Sequence, residues 1–594
     1  MIRSLSLRLC ALMTVLALGC DPGTSTTPSK TELPAPPPKG CESGELWSGT
    51  ACLAKPAIKV NTVGYLVGRV KRATAPAVDG TTKYSIVDAV TDEVVYPGNL
   101  LAPTQNTDTG DVTTVIDFTA FEMPGSYVIK IDGLAPSPVF HIGPDSLNEA
   151  LRVTMLGLYG QRCGVAVRFE HQGNTYSHEA CHKDDALLDG TQVDGTGGWH
   201  DAGDYGKYTV NAAFSLAFIL KAWEDFGSGL GTLEHIPNRT GELPAWLNEA
   251  KFQLDQILKM QHADGSAAHM LGPWAKPGPA AFPGMIPPEQ DFTQRAFSGI
   301  GTAATADLAA IAAIAARVFR PFDPQYADAC LTAAKLAEAY LEQHTASELP
   351  DFSNFTHQAY RTQDTDDRFW AQVELWRTTG DPALLAAVES TLRTSIPINF
   401  DWSNVDNLGM FSYVQAESEA RDPAKFAEAK RIIVASADAL SNGAGAHAYG
   451  RGVGAMYYWG SNGVVARSAM NLLVAYGISA DETKSRYLDA AVQQIDHLLG
   501  RNPFGRSFVT GLGYLPAMHP HHRQSEGDMV FLPWPGLLVG GPNSGKDDDP
   551  VKALRATGLA PGLVWFDDAG SYGTNEVAIN WNAALAYALA GFYR

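Results

Sequence analysis

From Asp145 to Arg594 one pattern recurs: Ala-rich segments in which apolar residues fall three and four positions apart. That spacing winds an apolar stripe along an α-helix and is out of phase with a strand, whose faces alternate at every residue. The clearest segments run Leu243 to Gln261, Thr302 to Phe319, Gln325 to His344, Ala424 to Leu440, Asn462 to Tyr476, Lys484 to Leu499 and Asn575 to Phe592. With weaker stretches such as Ala212 to Phe226, about eleven helices are expected. No sequence unit repeats at a fixed length, which argues against a solenoid. Long loops rich in Gly, Pro and aromatic residues join several of the helices, and such loops are where a rigid scaffold presents its chemistry. The fold class expected is mainly α, with one large helical domain over residues 144–594 whose functional loops gather at one end.

Upstream the period changes. Between Ala57 and Gly143 short alternating runs, among them "KYSIVDAV", "TTVIDFT" and "GSYVIKI", are separated by turn residues. They predict a small β-sandwich over residues 57–143. Residues 21–56 form a tether: "DPGTSTTPSKTELPAPPPKG" is extended by composition, and the loop "CESGELWSGTAC" brings Cys41 and Cys52 close enough for a local disulfide. Residues 1–20 place Arg3 and Arg8 before an apolar run from Leu9 to Leu18, the pattern of an export signal too short to span a membrane. The following Gly19-Cys20 resembles a bacterial lipobox, which implies acylation of Cys20 and a lipoprotein at the cell envelope or surface; plain secretion is the alternative. No other segment is expected to cross a membrane.

The net charge is -20, with the acidic residues scattered along the chain. Electrostatics therefore oppose nucleic acid and anionic lipid surfaces as partners, and membrane contact is expected only through the lipid anchor. A monomer is expected.

Within "GGWHDAGDYGKY", Asp201 and Asp204 lie three residues apart just before a helical run. Helix capping explains aspartates there, since their oxygens accept the free N–H groups of a first turn. A second explanation is a carboxylate pair that holds and deprotonates a water molecule, or binds a metal. A second acidic focus favours chemistry: "WFDDAGSYGTNEVAINWNA" sets Asp567 and Glu576 in a polar, aromatic loop near the C-terminus. One protonated carboxyl group and one ionised carboxylate on opposite sides of a bond is the arrangement that glycoside hydrolysis requires, and aromatic rings suit stacking on sugars.

"GGWHDAGDYGKY", "MHPHHRQS" and "WFDDAGSYGTNEVAINWNA" together resemble glycoside hydrolase family 9, inverting cellulases built on an (α/α)6 barrel, and "IKVNTVGYL" is similar to the start of the immunoglobulin-like domain found in one branch of that family. The resemblance implies an inverting endo-β-1,4-glucanase with no organic cofactor, acting on cellulose or a related β-glucan. It makes Asp204 the catalytic base, Asp201 its companion at the attacking water and Glu576 the general acid. His521 and Arg523 are implied as substrate contacts and Asp567 as a supporting group. One departure is Leu515, two residues after Gly513, where a basic or amide residue is usual. Exo-acting cellobiohydrolase or exo-glucosaminidase activity is the enzymatic alternative, and a non-catalytic glycan-binding protein the alternative of another class.

Cys163, Cys181, His182 and His200 form a set of two thiols and two imidazoles that suits a closed, structural zinc site. A Cys163–Cys181 disulfide is the competing explanation from spacing alone, and the resemblance favours zinc. Zinc-dependent hydrolysis would need an open metal position, which a fourth ligand at His200 removes. Asp364, Asp366 and Asp367 gather ahead of a helix, where capping and a calcium site both explain them. Trp370, a few residues on, belongs either to the core or to the sugar cleft. Cys330 is expected in the core, and His357, among the isolated histidines, is given no function.

Overall fold

The computed structural model describes residues 45–47, 52–183, 186–234, 237, 241–357, 360–480 and 484–594. The export signal with Cys20, most of the tether and Cys41 lie outside these residues. Cys52 is disulfide-bonded and begins the strand Cys52–Ala54, which pairs antiparallel with Glu45–Trp47.

The sandwich has two sheets. The larger orders its strands Tyr65–Leu66, Phe140–Gly143, Gly125–Lys130, Lys83–Asp88 and Val94–Asn99; the smaller orders Arg72–Pro76, Val112–Asp117 and Thr104–Gln105. Alternation selects the inner face: Ile86 opposite Ile129, with Ile116, Phe118 and Phe140, is fully buried or nearly so. Tyr65 sets its ring edge-on to Phe118 and Phe140 at 5.0 and 5.4 Å. The sandwich is fastened to the helical domain by directed bonds. The Thr62 N–H and hydroxyl both donate to the Leu499 carbonyl, at 3.0 and 2.7 Å, and Asn61 Nδ2 donates to Asp496 Oδ1 at 2.8 Å. Sandwich residues thus cap the C-terminal end of the helix Ser485–Leu498.

Among the described residues of the helical domain, helices alternate between two rings. The inner ring comprises Thr209–Phe226, Thr302–Phe319, Thr365–Thr379, Asp406–Gln415, Ser461–Ile478 and Ile579–Ala590. Each packs against the next, and the last packs against the first, so the ring closes. The outer ring comprises Asn148–Gly160, Ala245–Lys259, Pro324–Gln343, Pro382–Ser390, Pro423–Ala446 and Ser485–Leu498. This is the (α/α)6 barrel.

Sequence decides which ring a helix joins. Outer helices carry a single apolar stripe, as in Pro324–Gln343, which buries Ala327, Cys330, Ala334, Ala337 and Leu341 at intervals of three and four. Three of them open with Asp-Pro, the aspartates Asp323, Asp381 and Asp422 accepting a backbone N–H of the first turn. Three inner helices, Thr209–Phe226, Thr302–Phe319 and Ile579–Ala590, are buried on nearly every side, and every residue of Ile579–Ala590 is buried. Thr302–Phe319, with mean hydropathy 1.5, is long and apolar enough to cross a membrane, contrary to the expectation that no further segment would be. Of its residues 94% are buried in the barrel, which explains that composition.

Candidate active site

One end of the barrel holds a cleft with a cavity volume of about 430 Å3, lined among others by Asp201, Asp204, His357, Tyr360, His521, Arg523, Tyr572 and Glu576. It continues past Trp459 and Glu576 into a pocket of about 310 Å3 that is walled by Trp402, Tyr458, Arg467 and Trp581. Most of these residues sit in segments that precede inner helices: Asp201 to Tyr208 before Thr209, Tyr360 before Thr365, Trp402 before Asp406, Trp459 before Ser461 and Glu576 before Ile579. Closing the inner ring therefore gathers segments hundreds of residues apart.

The aspartate turn does not cap the helix that follows it; that helix starts after Tyr208 without a side-chain cap. Asp201 is instead held by the barrel, accepting from Asn211 Nδ2 through Oδ1 and from the Tyr360 hydroxyl through Oδ2, both at 2.7 Å. Asp204 Oδ2 accepts from the Tyr208 hydroxyl at 2.8 Å and lies 3.6 Å from His357 Nε2. Two glycines make the turn possible. A Cβ on Gly203 would come within 2.6 Å of His521 and 3.0 Å of Glu576, and one on Gly206 within 2.8 Å of Asp204. Removing those atoms lets the C-terminal loop reach the aspartates.

That loop is stitched in place. The Gly203 N–H donates to Glu576 Oε1 at 3.3 Å, the Ile579 N–H to the Asp201 carbonyl at 2.9 Å, and the His521 N–H to the Asn575 carbonyl at 2.7 Å. Asp567 is a bracket for the same loop: it accepts from the N–H groups of Met518 and His519 and from Asn575 Nδ2, and pairs with Arg506 at 2.5 Å. His521 Nδ1 faces the Ala569 carbonyl at 2.6 Å, so that nitrogen carries the proton. Arg523 is buried beside Tyr205 and pairs loosely with Asp291, at 3.5 Å.

Burial affects all three carboxyl groups, and their neighbours drive them apart. Burial, then the Asp204 charge, pushes Glu576 up to about 8, so it is protonated at neutral pH. Burial and then Asp204 also raise Asp201, against the pull of Asn211 and Tyr360. Burial alone would raise Asp204 as well, but His357, Arg523, the Tyr208 hydroxyl and the Gly206 N–H outweigh it and hold Asp204 below the usual carboxylate value. The negative charge of the cluster therefore resides on Asp204.

Beside this turn Cys163, Cys181, His182 and His200 converge, all four buried and with their ligand atoms within 4.8 Å of one another. The Cys163 and Cys181 sulfurs are 3.9 Å apart, too far for the alternative of a disulfide, and the sulfur–nitrogen distances are 3.7 Å to His182 Nδ1 and 3.6 Å to His200 Nε2. The four donors suit one enclosed metal ion.

Known proteins agree with this geometry. Residues 148–589 match the model of glycosyl hydrolase family 9, and residues 53–135 match the cellulase N-terminal ig-like domain. The chain belongs to glycosyl hydrolase family 9. Endoglucanase D of Acetivibrio thermocellus is 40% identical over 547 residues, covering 90% of this chain and 83% of the relative. A cellodextrinase of Butyrivibrio fibrisolvens is 32% identical over 559 residues, covering 90% and 99% respectively. Among solved structures, a Zn-binding triple mutant of a family 9 endoglucanase superimposes with a TM-score of 0.82 at 32% identity, over 90% of this chain and 99% of that one.

Within this glycosyl hydrolase several expectations change. Trp370 is fully buried, with Nε1 donating to Glu374 Oε1 at 3.1 Å, and belongs to the core; the cleft tryptophans are Trp402, Trp459 and Trp581. The aspartates considered for calcium go to separate partners. Asp364 pairs with Arg368 at 2.9 Å, Asp366 accepts the Val405 N–H at 2.7 Å, and Asp367 is buried against Asp307, burial above all pushing both carboxyls well above the usual carboxylate value. His357 joins the site beside Asp204, although an isolated histidine in a loop carried no signal of it. Leu515 is buried, and its carbonyl accepts from Arg506 Nε at 2.8 Å, so that position serves the loop scaffold.

The opposed shifts define a pH profile. With Glu576 as general acid and Asp204 as base, the roles that the family resemblance implies, kcat/KM is expected to fall about tenfold per pH unit above about 8, where Glu576 loses its proton, with the acid limb below the ordinary carboxylate range, where Asp204 gains one. Rates on a soluble glycoside across that range test this, with a plateau between the limbs expected. An alkaline limb beginning near pH 5 would contradict a raised Glu576.

Proposed function

We propose that this enzyme cleaves internal β-1,4-glucosidic bonds in cellulose and related β-glucans by a single displacement. The observation that carries the proposal is the division of charge in one cleft, a neutral Glu576 facing an ionised Asp204. Glu576 gives its proton to the glycosidic oxygen as that bond breaks. Asp204 takes a proton from the water that attacks the anomeric carbon on the opposite face, and Asp201, fixed by Asn211 and Tyr360, offers its remaining lone pairs to orient that water. Aromatic rings at Trp402, Trp459 and Trp581 supply flat surfaces for glucosyl units. Endo action is supported by the similarity to Endoglucanase D. Action on short oligosaccharides, supported by the similarity to a cellodextrinase, is the second reading. A purely glycan-binding role is disfavoured by the complete carboxylate set.

The Cys/His cluster fits zinc. Bond lengths of about 2.3 Å to sulfur and 2.0–2.1 Å to nitrogen give tetrahedral edges of about 3.8 Å between sulfurs and 3.6 Å between sulfur and nitrogen, matching the 3.9, 3.7 and 3.6 Å found. With four protein ligands the ion would act as a cross-link. His200 immediately precedes Asp201, so the link would brace the catalytic turn. Stripping metal with a strong chelator is expected to lower Tm, with one equivalent of zinc restoring it; an unchanged Tm and no bound zinc in the purified protein would remove this assignment.

The proposed setting is an exported protein held at the bacterial envelope through Cys20. The disulfide at Cys52 supports an oxidising compartment.

The reaction is tested with purified protein on barley β-glucan and phosphoric-acid-swollen cellulose, beside Glu576→Gln and Asp204→Asn. Mixed-length products from the wild type are expected, with kcat reduced roughly 10²- to 10⁴-fold in each variant. Activity surviving either substitution would overturn the assigned roles; a single short product would move the enzyme to exo action.

A further inference from the structure

The loop from Ala275 to Pro288 contains five prolines and carries one aromatic residue, Phe282. Phe282 is 52% exposed and borders the cleft that holds the carboxylates. Its ring is held from beneath: the buried Arg523 guanidinium lies 4.5 Å from the ring centroid. One face is occupied by that cation, and the remaining exposure leaves the other available.

The loop is tied down on both sides of the ring. The Thr356 hydroxyl donates to the Ala280 carbonyl at 2.7 Å, and the Tyr205 hydroxyl to the Ile286 carbonyl at 2.6 Å. Thr356 adjoins His357 and Tyr205 adjoins Asp204, so the two segments that flank the base also fix the position of Phe282. Prolines reduce the conformations open to the free loop, which lowers the cost of holding the ring ready. The aromatic residues of the deeper pocket, Trp402 and Trp581, do not border the cavity that Phe282 lines. Phe282 and these two tryptophans therefore border different parts of the cleft.

We infer that Phe282 is a specificity-determining residue: its open face stacks on a glucosyl ring of the substrate on the side of the catalytic carboxylates away from Trp402 and Trp581, and so selects for longer chains. The inference rests on the β-glucan activity proposed above. Arg523 beneath the ring increases its use as a platform, because the cation fixes the plane in which a sugar must lie.

The test compares wild type with Phe282→Ala, Phe282→Leu and Phe282→Tyr on cellotriose through cellohexaose and on barley β-glucan. Phe282→Leu keeps apolar bulk over Arg523 while removing the ring face, and Phe282→Tyr keeps the face. Expected is a rise in KM of roughly threefold to tenfold on the polymer for Ala and Leu, with kcat changed less than twofold. The rise should shrink as the oligosaccharide shortens, and Tyr should restore the wild-type value. An unchanged KM, a loss equal on all chain lengths, or a full recovery with Leu would overturn the stacking role. A wild type that hydrolyses none of these glucans would instead overturn the proposed function, and this inference with it.

Discussion

The hydrogen bond from the Ile579 N–H to the Asp201 carbonyl, 2.9 Å long, joins the first catalytic segment to the last. It forms only when the helix Ile579–Ala590 slides between Thr209–Phe226 and Ser461–Ile478 and completes the inner ring. Until that closure, acid and base belong to parts of the chain with no local reason to meet. Afterwards Glu576 is buried within reach of the Asp204 charge, and burial with that charge supplies its raised pKa. Packing of an apolar helix thus supplies the burial that raises Glu576.

The same closure explains why the site consists of loop residues on a rigid body. Inner helices pack most of their length against neighbouring helices, so the functional groups collect mainly in the segments that enter them. The price of gathering carboxyls there is electrostatic, and the neighbours offset it unequally. Asp204 receives Tyr208, Arg523 and His357, while Asp201 receives neutral donors only. The Asp567 bracket acts one step further out, fixing the loop at His521, and the buried Cys/His cluster adjoins the turn at His200.

Much of this was legible in the sequence because its signals were local. The period of three and four residues located the helices, with Thr302 to Phe319 matching its element end to end, and the glycine-flanked aspartates and the C-terminal acidic loop marked both halves of the site. Residues whose role depends on ring closure were not legible. Tyr360, His357, Trp402 and Trp459 carry no spacing signal relative to Asp201, and only their place ahead of an inner helix brings them to the cleft. Trp370, left open between core and cleft, lies inside the helix Thr365–Thr379 and is fully buried. The three clustered aspartates left capping and calcium both open, because sequence shows proximity along the chain and not which partners Asp364, Asp366 and Asp367 meet.

The central claim is that a protonated Glu576 and an ionised Asp204 act together in one displacement. Its most direct test is the anomeric configuration of the sugar first released, followed by proton NMR from the earliest moments of β-glucan hydrolysis before mutarotation. The account predicts that the new reducing end appears as the α-anomer and only later equilibrates. A β-anomer appearing first would require a covalent intermediate, and would contradict the assignment of Asp204 as a base acting on water.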